Sequence, residues 1–174
     1  MIDFSSSVIT FRETLEAALV VGIILAFLVR IKEKKFASYV YLGVAAAIVA
    51  SLLTAVAFQV VAGGFEGRAE QLFEGVTMSV AAVLLSWMIL WMFRQRMHLK
   101  RHVEEKVSRA VEKQEKIELF LLSFVAVFRE GVETVIFLGA ATFASGQNVF
   151  VGGTLGIAFA LVVSYIFFTD AKKV

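Results

Sequence analysis

Apolar positions fall in five long runs, separated by short segments that hold most of the charge. The runs cover about Val8–Val29, Phe36–Val61, Leu72–Phe93, Ile117–Phe143 and Val149–Thr169. Each is long enough for the roughly 20 residues an α-helix needs to cross a bilayer. The runs leave no polar face to wet, so five buried helices of a soluble bundle are a poor alternative. The expected fold is all-α: a single polytopic helical membrane domain over residues 1–174, with about five transmembrane helices. The pattern changes at 94–116, where charges surround Val103, Val107 and Val111. That spacing predicts a cytoplasmic amphipathic helix.

Composition supports the bilayer reading. Hydrophobic residues make up 59% of the 174, against about 45–50% in soluble domains. The absence of cysteine excludes disulfides, thiolate metal sites and thiol catalysis. Asp3 is the only charge before Arg12. Without a basic leader segment, the first run is expected to stay as a helix rather than be cleaved.

Lysine and arginine then orient the spans. Fourteen lie in the segments after the first, third and fifth runs, and only Arg68 lies in those after the second and fourth. This places the N-terminus outside and the C-terminus in the cytoplasm of a cell whose plasma membrane holds the protein.

The remaining two arginines sit inside spans, in related motifs. Phe11-Arg12-Glu13-Thr14-Leu15-Glu16 matches Phe128-Arg129-Glu130-Gly131-Val132-Glu133. The helices that follow match as well, Tyr39-Val40-Tyr41-Leu42-Gly43 against Asn148-Val149-Phe150-Val151-Gly152. Residues 8–93 thus form a three-span repeat and 117–169 a partial, two-span copy. With three helices per unit the copies must be inverted, an arrangement that places transporter sites at the repeat interface near mid-membrane. Both motifs lie roughly 14–15 residues, or about 20–23 Å, from the inner boundary, so they can face each other.

A charge at mid-helix costs about 2.5–3.5 kcal/mol by insertion scales, so six of them call for partners or an ion. Glu13 and Glu16 share a helix face, as do Glu130 and Glu133. Arg12 can hold Glu16, and Arg129 can hold Glu133, each one turn away. The facing motifs offer Glu13, Glu16, Glu130 and Glu133 to a metal ion, with Arg12 and Arg129 in support. Oxygen donors suit hard cations such as iron, manganese, magnesium or calcium. The structural alternative is a pair of Arg–Glu ion pairs that lock helices together.

Other polar features are weaker. Glu66, Glu70 and Glu74 recur every four residues into the third run and are expected to form one helical stripe that draws cations to an entry; Glu74 is its most buried member. His98 and His102 are one turn apart in the cytoplasmic segment and read as a solvated face before a metal pair. Met78, Met88 and Met92 read as packing, and Trp87 and Trp91 as an interfacial belt. Di-iron carboxylate sites use Glu-x-x-His, and no span contains histidine, which argues against an oxidoreductase. No nucleophile constellation, phosphate loop or nucleic-acid motif is visible, so the chain reads as a non-enzyme.

Both Arg-Glu-x-x-Glu motifs, Leu72-Phe73-Glu74-Gly75 and Leu155-Gly156-Ile157 resemble the oxidase-dependent iron permease family over essentially the whole chain. The resemblance implies iron uptake, usually ferric, with iron as transported substrate rather than resident cofactor. It implies that Glu13, Glu16, Glu130 and Glu133 act on iron with Arg12 and Arg129 beside them, and that Glu74 lies on the path. It also implies an extracytoplasmic oxidase or iron-binding partner. The family typically has seven spans. Five spans leave three readings: a fragment, a split protein, or a chain completed by homo-oligomerisation. The alternatives in function are a permease for another cation, such as manganese or lead, and an accessory subunit of a larger transporter.

Overall fold

The computed structural model describes residues 4–95, 99–145 and 149–170. Among these there are six α-helices: α1 (Phe4–Arg30), α2 (Ala37–Gly63), α3 (Arg68–Gln95), α4 (Leu99–Glu112), α5 (Lys116–Ser145) and α6 (Val149–Asp170). A short 3₁₀ turn, Lys34–Phe36, precedes α2. The five long helices coincide with the five apolar runs, and α4 with the amphipathic segment, so the all-α membrane architecture stands. Lys34–Gly63, Arg68–Leu90 and Val149–Ile166 are long and apolar enough to cross a membrane. Helices α1 and α5 have 27 and 30 residues but carry the charged motifs.

Small residues decide which helices touch. Helix α6 lies along α1, where Ser7 Oγ donates to the Gly152 carbonyl at 2.9 Å and Thr10 Oγ1 to the Gly153 carbonyl at 2.9 Å. A Cβ on Gly156 would collide with Thr10 and the Ser7 carbonyl. Helix α2 lies along α5 in the same manner, Gly43 meeting Ser123 and the Phe120 carbonyl, and Ser51 meeting Gly131. Close backbone approach through glycine and serine is how helices associate in lipid, where burial of apolar surface gives no net drive. Both pairs are parallel. Helices α1 and α5 cross antiparallel, while α1 with α2 and α5 with α6 touch little. Helices α1, α2 and α3 therefore pack chiefly on α5 and α6 rather than on one another.

Two apolar clusters fill the seam. At one end Phe137 of α5 packs with Ala81 and Met88 of α3 and with Ile9 of α1. At the other, Ile24, Phe27 and Leu28 of α1 pack with Leu119 of α5 and with Val103, Val107 and Ala110 of α4. The amphipathic stripe of α4 is thus docked, rather than solvated, on that side. An aromatic cluster of Phe58, Phe65, Phe73 and Phe143 ties α3 to α2 and α5.

One expectation is corrected. Glu66 is not on the helix of Glu70 and Glu74: Gly67 adopts φ +63° and α3 starts at Arg68. The left-handed turn interrupts the four-residue stripe before it begins. His98 lies outside the described residues, and so do the side chains of His102, Trp91 and Met92.

Candidate metal centre

The antiparallel crossing of α1 and α5 sets one motif against the other. Glu13, Glu130 and Glu133 each present a carboxylate oxygen, and these three oxygens lie within 4.8 Å of one another. Ligands on opposite sides of a cation with metal–oxygen distances of about 2.0–2.4 Å are about 4–4.8 Å apart. One ion can therefore touch all three carboxylates without rearrangement of the helices.

Within each motif the arginine serves both glutamates of its own helix. Arg12 Nη1 lies 3.2 Å from Glu13 Oε1, and Nη2 lies 3.1 Å from Glu16 Oε1. Arg129 Nε lies 3.4 Å from Glu130 Oε1 and 3.0 Å from Glu133 Oε1. The expected one-turn pairs form in both copies, and a neighbouring pair is added in each. The first glutamate of each motif is buried, Glu13 to 1% exposure. It gives one oxygen to its arginine. The other, Oε2 of Glu13 or of Glu130, is buried and receives no N–H or hydroxyl among the described residues, and the two carboxyl groups lie within hydrogen-bond reach of each other.

A buried, unpartnered oxygen on an acidic side chain is costly. Two such carboxyl groups meeting at the α1–α5 seam can be satisfied by a shared proton or by a cation.

Not every candidate is brought to this point. Glu16 is half-buried and lies outside the three-carboxylate group, held beside it by Arg12. Glu74 is half-buried on α3, on the face that also carries the buried Thr77, Ala81 and Met88. It stands 14 residues along α3 from Met88, or roughly 21 Å, and so is separate from the cluster. Glu66 and Glu70 are exposed.

Met88 takes a part that the sequence did not reveal. It packs against Ala81 and Phe137 as expected of a core methionine, and its thioether also accepts a hydrogen bond from the Arg12 guanidinium. Its spacing from Glu74, Thr77 and Ala81 places it on the inward face of α3. That was the available signal. The contact also makes the two halves unequal: the Arg12 side chain is 28% exposed and that of Arg129 is 46% exposed. Helix α3 reaches Arg12, and no equivalent helix lies beside Arg129 among the described residues.

The model of the iron permease FTR1 family matches residues 3–173. An uncharacterized protein of Archaeoglobus fulgidus is 36% identical over 159 residues, covering 91% of this chain and 55% of that protein. The ferrous iron permease EfeU of Escherichia coli O6:H1 is 32% identical over 169 residues, covering 95% of this chain and 61% of EfeU. EfeU of Yersinia pestis is 33% identical over 165 residues, covering 94% and 57%. The chain thus spans a little over half the length of these relatives. No solved structure matches. With a family match over nearly every residue, including both charged motifs, the chain belongs to the iron permease FTR1 family.

Proposed function

We propose that this chain forms the ion-binding core of an iron-uptake permease, and that Glu13, Glu130 and Glu133 hold the iron during passage. The observation that carries the reading is the meeting of the buried carboxyls of Glu13 and Glu130, whose Oε2 atoms receive no described N–H or hydroxyl, beside a third carboxylate at ligand spacing. Glu16 acts with them through Arg12, and Arg129 holds Glu133 in the corresponding way. Glu74 lies on the approach to the site, and Glu70 and Glu66 gather cations at the entry. The function is transport rather than catalysis, with iron as cargo.

The name borne by the EfeU relatives favours ferrous iron at the moment of binding. The family resemblance favours ferric iron supplied by an extracytoplasmic oxidase. Both ions accept an all-oxygen donor set, as does manganese. The repeats over 8–93 and 117–169, the plasma-membrane location and the N-out, C-in orientation belong to the same reading.

Uptake of radiolabelled iron by cells lacking their own iron permeases tests it. Glu16→Ala and Glu133→Ala are each expected to abolish uptake while the protein still inserts. Normal uptake by both well-expressed variants would overturn the proposal. Running the assay with ferrous iron under ascorbate, with ferric citrate and with manganese in competition separates the three cargoes.

A further inference from the structure

The carboxylate cluster is closed off along the α1–α5 seam in both directions. On one side stands buried Phe137 with Ala81 and Ile9. On the other stand Ile24, Phe27, Leu28 and Leu119. A hydrated ion crosses neither seal as drawn, because apolar side chains offer nothing to replace its water.

The two seals are built differently. The first uses only the long helices α1, α3 and α5. The second is completed by α4, a 14-residue helix laid against the end of the seam. Small apolar side chains hold it there, Val103, Val107 and Ala110 with Val111 partly buried beside them. One ion pair assists, Arg30 Nη1 to Glu104 Oε1 at 3.6 Å, with Arg30 two-thirds exposed. The opposite face, including Glu105, Lys106 and Arg109, is exposed. Helix α4 passes into α5 through a tight reversal in which Gln114 holds φ 58°. There the Glu115 N–H closes on the Ala110 carbonyl at 2.8 Å. A short helix with a narrow apolar stripe, a water-ready back and a compact turn can leave its seat without disturbing the spans. Removing it uncovers Leu28 and Leu119, the end of the seam.

We propose that α4 is the inner gate of the permeation path: it seals the seam when docked and must undock from α1 to release the ion. The proposal rests on the permease reading and adds a moving part to it.

The cysteine-free chain allows a direct test. Arg30→Cys with Glu104→Cys is purified, reconstituted in liposomes with an iron-sensitive dye inside, and treated with a short bifunctional, reducible thiol cross-linker. The uncross-linked protein is expected to carry iron at least as fast as the unmodified chain. The cross-linked protein is expected to lose transport at least ten-fold, to keep iron binding in detergent, and to recover on reduction. Transport by the cross-linked protein at the uncross-linked rate would overturn the gate.

A second measurement does not depend on transport. Leu119→Cys lies behind α4, and its labelling by a water-soluble maleimide is expected to accelerate several-fold when Val107→Asp is added. An unchanged labelling rate would also overturn the gate. Failure of the unmodified chain to carry iron, with labelling as expected, would contradict the permease reading and leave the undocking of α4 standing.

Discussion

Glu13 of α1 and Glu130 of α5 hold the same place in two oppositely directed copies of one motif, and each buries an Oε2 that no described N–H or hydroxyl satisfies, leaving the two carboxyls to share a proton or a cation. An arginine next in sequence takes the remaining oxygen of each. A pair built only to lock helices would be expected to satisfy both oxygens, as buried polar groups generally are. The leftover valence is better matched to a passing cation than to the scaffold.

Neutral replacement of these two residues separates function from folding. Glu13→Gln and Glu130→Gln keep the shape and remove the charge. Each is expected to cut iron uptake by at least a hundred-fold while thermal stability in detergent changes by less than about 1 kcal/mol, because each arginine keeps its second carboxylate, Glu16 or Glu133, and a buried carboxyl is made neutral. Uptake assays and thermal unfolding of the same preparations check both parts.

The two arginines are expected to differ. Arg12 is mostly covered and serves the nearly inaccessible Glu13. Arg12→Leu strands that carboxylate, a loss of about 3 kcal/mol or more for a broken buried pair. Arg129 is half-exposed but also serves buried Glu130, so Arg129→Leu strands that carboxylate too, at a cost expected to be smaller because water reaches the guanidinium. Thermal shift of the two variants side by side reads the difference.

Glycine contacts set the helix pairing. Gly156→Ala puts a methyl group into the Ser7 carbonyl and Thr10, and a backbone atom cannot step aside. Overpacking of this kind costs about 1–3 kcal/mol. Gly75→Ala meets nothing within 4 Å and is expected to be neutral or slightly stabilising in its helix. Unfolding midpoints of the two alanine variants give the comparison.

Met88→Leu preserves volume and removes the thioether. Stability is expected to fall by less than about 1.5 kcal/mol, while the half-saturating iron concentration for uptake changes, since Arg12 loses its hold from α3. A variant with unchanged half-saturation would reduce Met88 to packing alone.

Much of this was legible in the residues. The five runs gave the long helices because a bilayer-spanning helix needs little beyond length and apolarity. The Arg12–Glu16 and Arg129–Glu133 pairs follow from one helical turn, and the meeting of Glu13 with Glu130 follows from matched depth in inverted copies. What escaped depends on rotation and tertiary contact. Glu16 stands outside the carboxylate group, held by Arg12. Met88 meets Arg12 because α3 packs on α5, which no pattern within α3 encodes. Glu66 left its stripe at a single glycine torsion.

The most direct measurement is a structure of the membrane-embedded protein soaked with iron, using anomalous scattering at the iron edge. The expected result is one strong peak between Glu13, Glu130 and Glu133, lost in Glu130→Gln. A peak elsewhere on the path with none between these three carboxylates would contradict the proposed site.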